Sequence, residues 1–445
     1  MPATRLPSGE LSGGTVFHTW WPLAASWLLM GCELPLVSAV IARLPHPTVN
    51  LAAYGGVVFP LALLIESPII MLLSASVALS CDRPSYRLLR RCMLAMGGTL
   101  TALHVLIAFT PLYGLVVDRI LGAPAEVLEP ARTGLRIMTP WTLSIAYRRF
   151  QQGVLIRSGR TWAVGVGTAV RLGAGAAVLA AGWASGRVPG IVVGTLAVIA
   201  GVVSEAVFSG LAVRPVLRGT LPEGSQNPEG LTLAGFARFY VPLALTPLLS
   251  FIALPMASAA MGRMPLALES LAAWPVVNGL VFVLRSTGFG LNEVVISLLE
   301  QPRPVPALRR FSIGLGAATS GLLVVVAATP LGPLWFEHLS ALPRDLANLA
   351  GAALGLAVLM PAFSALQSWY QGAIVYSRRT RAVTESMALY LATIALVLAA
   401  GMALARFAGL PVVMVALTAG SAVQVGWLRL RAGAAIRAVE TRPER

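Results

Sequence analysis

Apolar runs long enough to cross a bilayer recur from one end of this chain to the other, and they limit the fold more than any other feature. A spanning α-helix needs about 20 predominantly apolar residues, and a hydropathy reading with a window of about 19 residues predicts twelve of them. They lie over 17–43, 51–80, 92–114, 133–156, 162–184, 190–213, 233–262, 268–299, 311–335, 350–376, 382–405 and 409–429. Composition agrees. Of the 445 residues 57% are apolar and 11% charged, with mean hydropathy +0.78, whereas soluble domains carry about 25% charged residues. Such a chain cannot cover a water-facing surface, so an all-α polytopic membrane protein is expected.

All 33 basic residues are arginine, and the formal net charge of +15 invites a nucleic-acid reading. Their positions argue otherwise. Arg5 stands in the N-terminal tail, and alternate connections carry Arg83, Arg87, Arg90 and Arg91, then Arg157 and Arg160, Arg214 and Arg218, Arg303, Arg309 and Arg310, and Arg378, Arg379 and Arg381. Arg429, Arg431, Arg437, Arg442 and Arg445 mark the C-terminal end, while the intervening connections hold a single arginine each: Arg43, Arg119, Arg187, Arg263, Arg344 and Arg406. The positive-inside rule then puts both termini in the cytoplasm, with the protein multi-pass in the cell's inner membrane and no nucleic-acid partner. Cys32, Cys81 and Cys92 show neither a paired framework nor metal-ligand spacing. The first apolar run is too long for a signal peptide.

The chain repeats itself. At an offset of 220, Trp21-Pro22-Leu23-Ala24 lies on Val241-Pro242-Leu243-Ala244, Leu34-Pro35 on Leu254-Pro255, Arg43 on Arg263, Leu51-Ala52-Ala53-Tyr54 on Leu271-Ala272-Ala273-Trp274, and Arg83-Pro84 on Arg303-Pro304. One residue is lost in that last connection, and the register continues at 219 with Thr110-Pro111-Leu112 on Thr329-Pro330-Leu331 and Gln152-Gly153 on Gln371-Gly372. Shared proline, arginine and Gln-Gly at fixed places are not compositional noise. Six spans per copy is an even number, so the copies are parallel about an axis along the membrane normal. The expected organisation is a tail over 1–16, an N-lobe over 17–213, a polar linker over 214–232, a C-lobe over 233–429 and a tail over 430–445.

Met30-Gly31-Cys32-Glu33 in the first span and Leu51-Ala52-Ala53 at the start of the second, with this duplication, resemble the multidrug and toxic compound extrusion (MATE) transporters, whose wider group includes lipid and oligosaccharide flippases. The resemblance covers nearly the whole chain. It implies a twelve-helix MATE-like fold and a cation-coupling role for an acidic residue in the first helix, where Glu33 stands. This sequence departs from the family in lacking an acid in spans 7 and 10. Trp21-Pro22-Leu23, Gly31-Cys32-Glu33, Ala53-Tyr54-Gly55 and Gly153-Val154-Leu155 carry a narrower similarity to the progressive ankylosis protein, which implies export of organic and phosphate-bearing anions.

Ionisable side chains inside a bilayer are costly and mark functional candidates. The deepest are Glu33, Glu66, Arg171 and Arg285. At offset 220 Ile65 matches Arg285, so Glu66 and Arg285 sit at nearly the same depth in opposite copies. Two readings stand: they face a central cleft, as cargo contacts or a gate, or each is satisfied within its own lobe. Arg149, beside Arg148 in span 4, and Asn292, with Glu293 in span 8, join the substrate-binding candidates. Arg136 and Arg238 suit snorkelling to an interface. Glu205 and Glu293 fall in cytoplasmic halves within reach of water. His104 reads as a packing residue, and Trp20, Trp21, Trp335 and Trp427 as interfacial anchors. Arginines outnumber central carboxylates, and guanidinium groups fork onto phosphate or carboxylate.

The expected function is therefore a monomeric secondary transporter exporting a small anionic or amphiphilic solute by alternating access, with a proton or sodium as coupling ion, membrane lipids as surroundings and no cofactor. A MATE-type cationic drug/proton antiporter and a lipid-linked flippase are the alternatives. No P-loop, nucleophile motif or metal-ligand spacing supports an enzyme.

Overall fold

In the computed structural model the described residues are 11–219, 221–224, 231–377 and 381–441. Arg5, Arg378, Arg379, Thr380, Arg442, Arg445 and the linker stretch 225–230 lie outside them. The described residues form helices and no strands. Among the described residues eleven helical stretches are long and apolar enough to span a membrane. They are α1 (Gly13–Ile41, broken at Cys32), α2 (Pro47–Leu79), α3 (Arg83–Phe109), α5 (Trp162–Ser185), α6 (Gly190–Gly219), α7 (Leu233–Met261), α8 (Ala267–Leu298), α9 (Pro304–Ala328), α10 (Arg344–Tyr376), α11 (Arg381–Leu404) and α12 (Gly409–Glu440). Between α3 and α5 comes α4, made of Ala125–Ile137 and Trp141–Arg157. It falls short on polarity, because Arg132, Arg136, Arg148, Arg149 and two glutamines lie along it.

Several helices outrun the predicted spans on the arginine-rich side. α3 begins at Arg83 rather than near 92, and α12 continues to Glu440. Hydropathy sees only the apolar part of a helix, whereas the backbone keeps its hydrogen bonds as it passes into water. Asp82 caps α3 by accepting from the Ser85 amide at 2.8 Å.

By contacts the chain groups into two compact units, Val37–Pro275 and Met1–Leu36 with Val276–Arg445. In the first, α6 packs on α5 and α4, α4 on α2 and α3, and α7 on α2. Gly153 lets α4 approach α2 closely, since a Cβ there would stand 2.6 Å from the Leu73 carbonyl oxygen. In the second, α12 packs on α10 and α11, and α10 on α8 and α9. Gly372 plays the corresponding part: a Cβ on it would stand 2.7 Å from the Val295 side chain and 3.2 Å from the Asn292 carbonyl oxygen.

These paired contacts fix the register of the repeat. Leu73 to Asn292 is an offset of 219, and so is Gly153 to Gly372. Yet His46 and Leu266, both in the left-handed region with φ 54°, keep 220. The residue is therefore lost inside α2, not in the connection after it. Ala52–Val58 form a π-helical segment, whereas α8 is α-helical over the corresponding residues. A π turn accommodates one extra residue without ending a helix. Arg83 opens α3, while Arg303 is the left-handed cap before α9, so their sequence match is out of step with the helices. Corrected in this way, Glu66 corresponds to Arg285 itself, not to Ser286.

Candidate functional site

In the unit over 37–275, four helices carry charge to one place. Arg148 and Gln152 stand four residues apart on α4, hence on one face. Both reach Glu205 of α6: Arg148 Nη1 lies 2.6 Å from Glu205 Oε2, and Gln152 Nε2 donates to Glu205 Oε1 at 2.9 Å. Glu205 is 1% exposed and Arg148 5%. This corrects the expectation that Glu205 meets water. A charge buried so deeply is tolerable only when paired and hydrogen-bonded.

Arg149, one residue further on, points about 100° around the helix. It is the charge with the strongest influence on Glu66 of α2, followed by Arg148 and then Arg171 of α5, and Trp141 also neighbours that carboxylate. Glu66 is buried, and its Oε2 has no hydrogen-bond partner; neither has Arg149 Nε nor Arg148 Nε. Three guanidinium groups thus face two carboxylates, with Glu205 already engaged by Arg148 and Gln152. Gln151 donates to the Tyr86 hydroxyl at 3.3 Å and holds that side of α4 against α3.

Of the sequence candidates, Glu66, Arg149 and Arg171 come together. Arg285 and Asn292 belong to the other unit. There Arg285 is half-buried, its Nε is without a partner, and the neutral phenol of Tyr390 on α11 is its polar neighbour. Ser364 Oγ donates to the Arg285 carbonyl oxygen at 3.0 Å. Asn292 is half-buried with Oδ1 unpartnered, and Glu293 is exposed. Glu33, half-buried, opens the second part of α1 just after the break at Cys32.

Arg136 and Arg238 are exposed, as snorkelling requires, with Arg136 over the Phe109 ring at 5.3 Å. His104 is buried, its Nε2 3.0 Å from the Leu135 carbonyl oxygen. Trp20 departs from its expected anchoring role: it is 6% exposed, and its indole N–H donates to the Thr287 carbonyl at 2.8 Å. Sequence reasoning missed the Arg148–Glu205 pair and Tyr390. The signal for the pair was Arg148 and Gln152 at i, i+4 together with a lone acid in α6. Tyr390 announces itself only as the repeat counterpart of Arg171. Among the described residues no group of three or more His, Cys, Asp or Glu could hold a metal ion.

The fold is that of the MATE transporters of the MOP superfamily. An inward-facing multidrug-resistance MATE transporter matches with a TM-score of 0.71 and 14% identity, over 95% of this chain and 99% of that one. The lipid II flippase MurJ, in an inward closed conformation, matches at 0.65 and 14% identity over 95% and 88%. A MOP superfamily transporter from Pyrococcus furiosus, described as having a binding pocket of reverse polarity that suggests a different function, matches at 0.61 and 13% identity over 98% and 100%. No family model and no curated protein matches the chain. The solved structures bear on the broad resemblance, not on the narrower one to the progressive ankylosis protein.

Proposed function

We propose that this multi-pass membrane protein is a secondary transporter whose cargo is an organic anion or an anionic amphiphile, carried by alternating access between the two copies of the repeat. The carrying observation is the cluster in which three guanidinium groups, buried Arg148 and half-buried Arg149 and Arg171, stand with two buried carboxyl groups, Glu66 and Glu205. Inside a bilayer such an excess of guanidinium groups favours a carboxylate or phosphoryl group as its complement. Arg149 is the cargo contact, Arg171 assists it, and Glu66 competes with the anion for the same guanidinium. Arg285 and Asn292 are proposed cargo contacts from the other copy.

Glu33 is proposed as the site of proton or sodium coupling, with both termini in the cytoplasm and a monomer in the inner membrane as the working state. The reversed pocket polarity ascribed to the Pyrococcus furiosus transporter supports reading pocket charge as variable within this fold. Export of cationic drugs would call for an excess of carboxylates, which the cluster lacks.

Countertransport in sealed proteoliposomes tests the reading. Labelled organic carboxylates, organic phosphates and a cationic drug are each offered against the unlabelled compound. Uphill exchange of an anion, lost in Arg149→Gln, is the expected result. Exchange of the cation alone, or flux without countertransport, refutes it. Glu33→Gln should keep exchange and lose its dependence on a proton or sodium gradient. Reversing both charges, Glu66→Arg with Arg285→Glu, should restore transport lost in either single variant if the two side chains act as a pair.

A further inference from the structure

The unit over 37–275 holds a second polar site, at the opposite end of α3 from Phe109 and apart from the buried cluster. Arg83, Arg87 and Arg90 of α3 and Arg218 of α6 line a cavity of about 390 Å³ together with Tyr86, Leu217 and Leu221. Glu223 engages Arg83, 2.6 Å from its Nη1, and the Pro222 carbonyl accepts from the Arg83 amide. The first turn of α3 carries no acid, and Asp82 just before it is buried as the cap. Arg87, Arg90 and Arg218 are exposed.

Further along α3, a groove of about 680 Å³ runs between this helix and α7. Leu88, Cys92 and Met96 form one wall, and Phe236, Tyr240 and Leu248 the other, with Arg91 among the lining residues. The two adjoin along α3, where Leu88 and Arg91 of the groove alternate with Arg87 and Arg90 of the cavity.

We propose that this pair of cavities binds an anionic phospholipid, with its headgroup phosphate among Arg87, Arg90 and Arg218 and an acyl chain laid in the groove between α3 and α7. Positive charge at the membrane surface followed by an apolar slot matches an acidic lipid and no water-soluble anion, which would leave the groove unfilled. Tyr86 and Leu217 contribute the less polar part of the cavity lining. The buried cluster of Arg149 and Glu66 plays no part in this site.

The test uses the full chain purified from phosphatidylcholine vesicles doped with phosphatidylglycerol, with retained lipid counted by native mass spectrometry. Wild type should keep phosphatidylglycerol in preference to phosphatidylcholine. Arg87→Gln, Arg90→Gln and Arg218→Gln together should lower that retention about tenfold or more. Arg309→Gln with Arg310→Gln, on α9, should leave it unchanged. Ala95→Trp, which fills the groove from an exposed position, should also strip the lipid, and it keeps the test alive if the triple variant fails to fold. Retention equal to wild type in either folded variant overturns the proposal, as does an equal loss in the α9 control. Inorganic phosphate that displaces the lipid and matches its thermal protection assigns the cavity to a free anion and overturns it too.

Discussion

The two copies of the repeat share close helix contacts, apart from the break in α1 and the π segment in α2, and hold different chemistry between them. Around α2, α4, α5 and α6 stand Glu66, Arg148, Arg149, Gln152, Arg171 and Glu205; at the corresponding places in α8, α10, α11 and α12 stand Arg285, Gln367, Ser368, Gln371, Tyr390 and Gln424. The correspondence is structural as well as sequential. A Cβ on Gly201 would meet the Arg171 carbonyl oxygen at 2.9 Å, and one on its counterpart Gly420 would meet the Tyr390 carbonyl oxygen at 3.2 Å. Five charges in the one copy thus correspond to a single charge, neutral amides and hydroxyls in the other. Glycines at matching places permit close helix packing in both copies, while the polar residues between the helices differ. The charged copy holds the cluster proposed above to meet the cargo.

The sharpest way to break this contrast is to remove the acid that balances the charged copy. Glu205→Leu leaves Arg148 buried without a counter-charge and should cost about 3–5 kcal/mol of stability. The matching change Gln424→Leu removes a neutral amide and should cost about 1 kcal/mol. Thermal melting of the detergent-solubilised protein, followed by fluorescence-detected size exclusion, measures both. Equal losses would mean that the charge difference between the copies carries no energetic weight.

Next in size is the effect on cargo. Arg149→Gln withdraws a charge-assisted hydrogen bond worth about 1.5–3 kcal/mol, and should weaken anion transport about 10- to 100-fold. Ser368→Ala at the counterpart should leave it nearly unchanged. Glu66→Gln sharpens the comparison, because it removes the anion that competes for Arg149 and should raise apparent affinity for an anionic cargo. A fall in affinity would reassign Glu66 from competitor to contact.

Much of this contrast was open to a reader of the sequence, and part of it was not. The apolar runs gave the spans, and polarity alone marked Glu66, Arg149 and Arg171 as candidates, though singly and with Glu66 set against Arg285 rather than beside the two arginines. Arg148 and Glu205 are separated by 57 residues, and only the packing of α4 on α6 joins them. The π segment in α2 was hidden for a different reason. An insertion among interchangeable Ala, Val and Leu residues leaves no mark until a polar landmark follows, and the next landmark, Arg83-Pro84, matches Arg303-Pro304 although the two arginines occupy different helical positions. Glu66 and Arg285 consequently looked adjacent in the repeat when they are counterparts.

The glycines test whether the shared backbone is held as tightly in both copies. Gly153→Ala places a Cβ 2.5 Å from the Ser76 Cβ and 2.6 Å from a carbonyl oxygen of α2. Backbone cannot yield as a side chain can, so a loss of about 1–3 kcal/mol is expected. Gly372→Ala meets mainly the Val295 side chain, 2.7 Å away, with the nearest carbonyl oxygen at 3.2 Å. It should fall at the mild end of that range in the same melting assay. The reverse order would show that α10 is clamped onto α8 more firmly than α4 onto α2.

The smallest expected effect concerns the one charge of the neutral copy. Tyr390 is the polar neighbour of Arg285, and its ring also packs against α12, where a Cβ on Gly420 would touch Tyr390 Cδ2 at 3.0 Å. Tyr390→Phe keeps that packing and deletes only the hydroxyl, so it should cost about 0.5–1.5 kcal/mol, the worth of one hydrogen-bonding group. Arg171→Gln, the corresponding change in the charged copy, alters the net charge around Glu66 and should show itself in anion affinity more than in melting. If Tyr390→Phe instead reduces transport as far as Arg149→Gln does, the neutral copy binds cargo through Arg285 and its tyrosine. The difference in charge between the copies would then be one of means rather than of role.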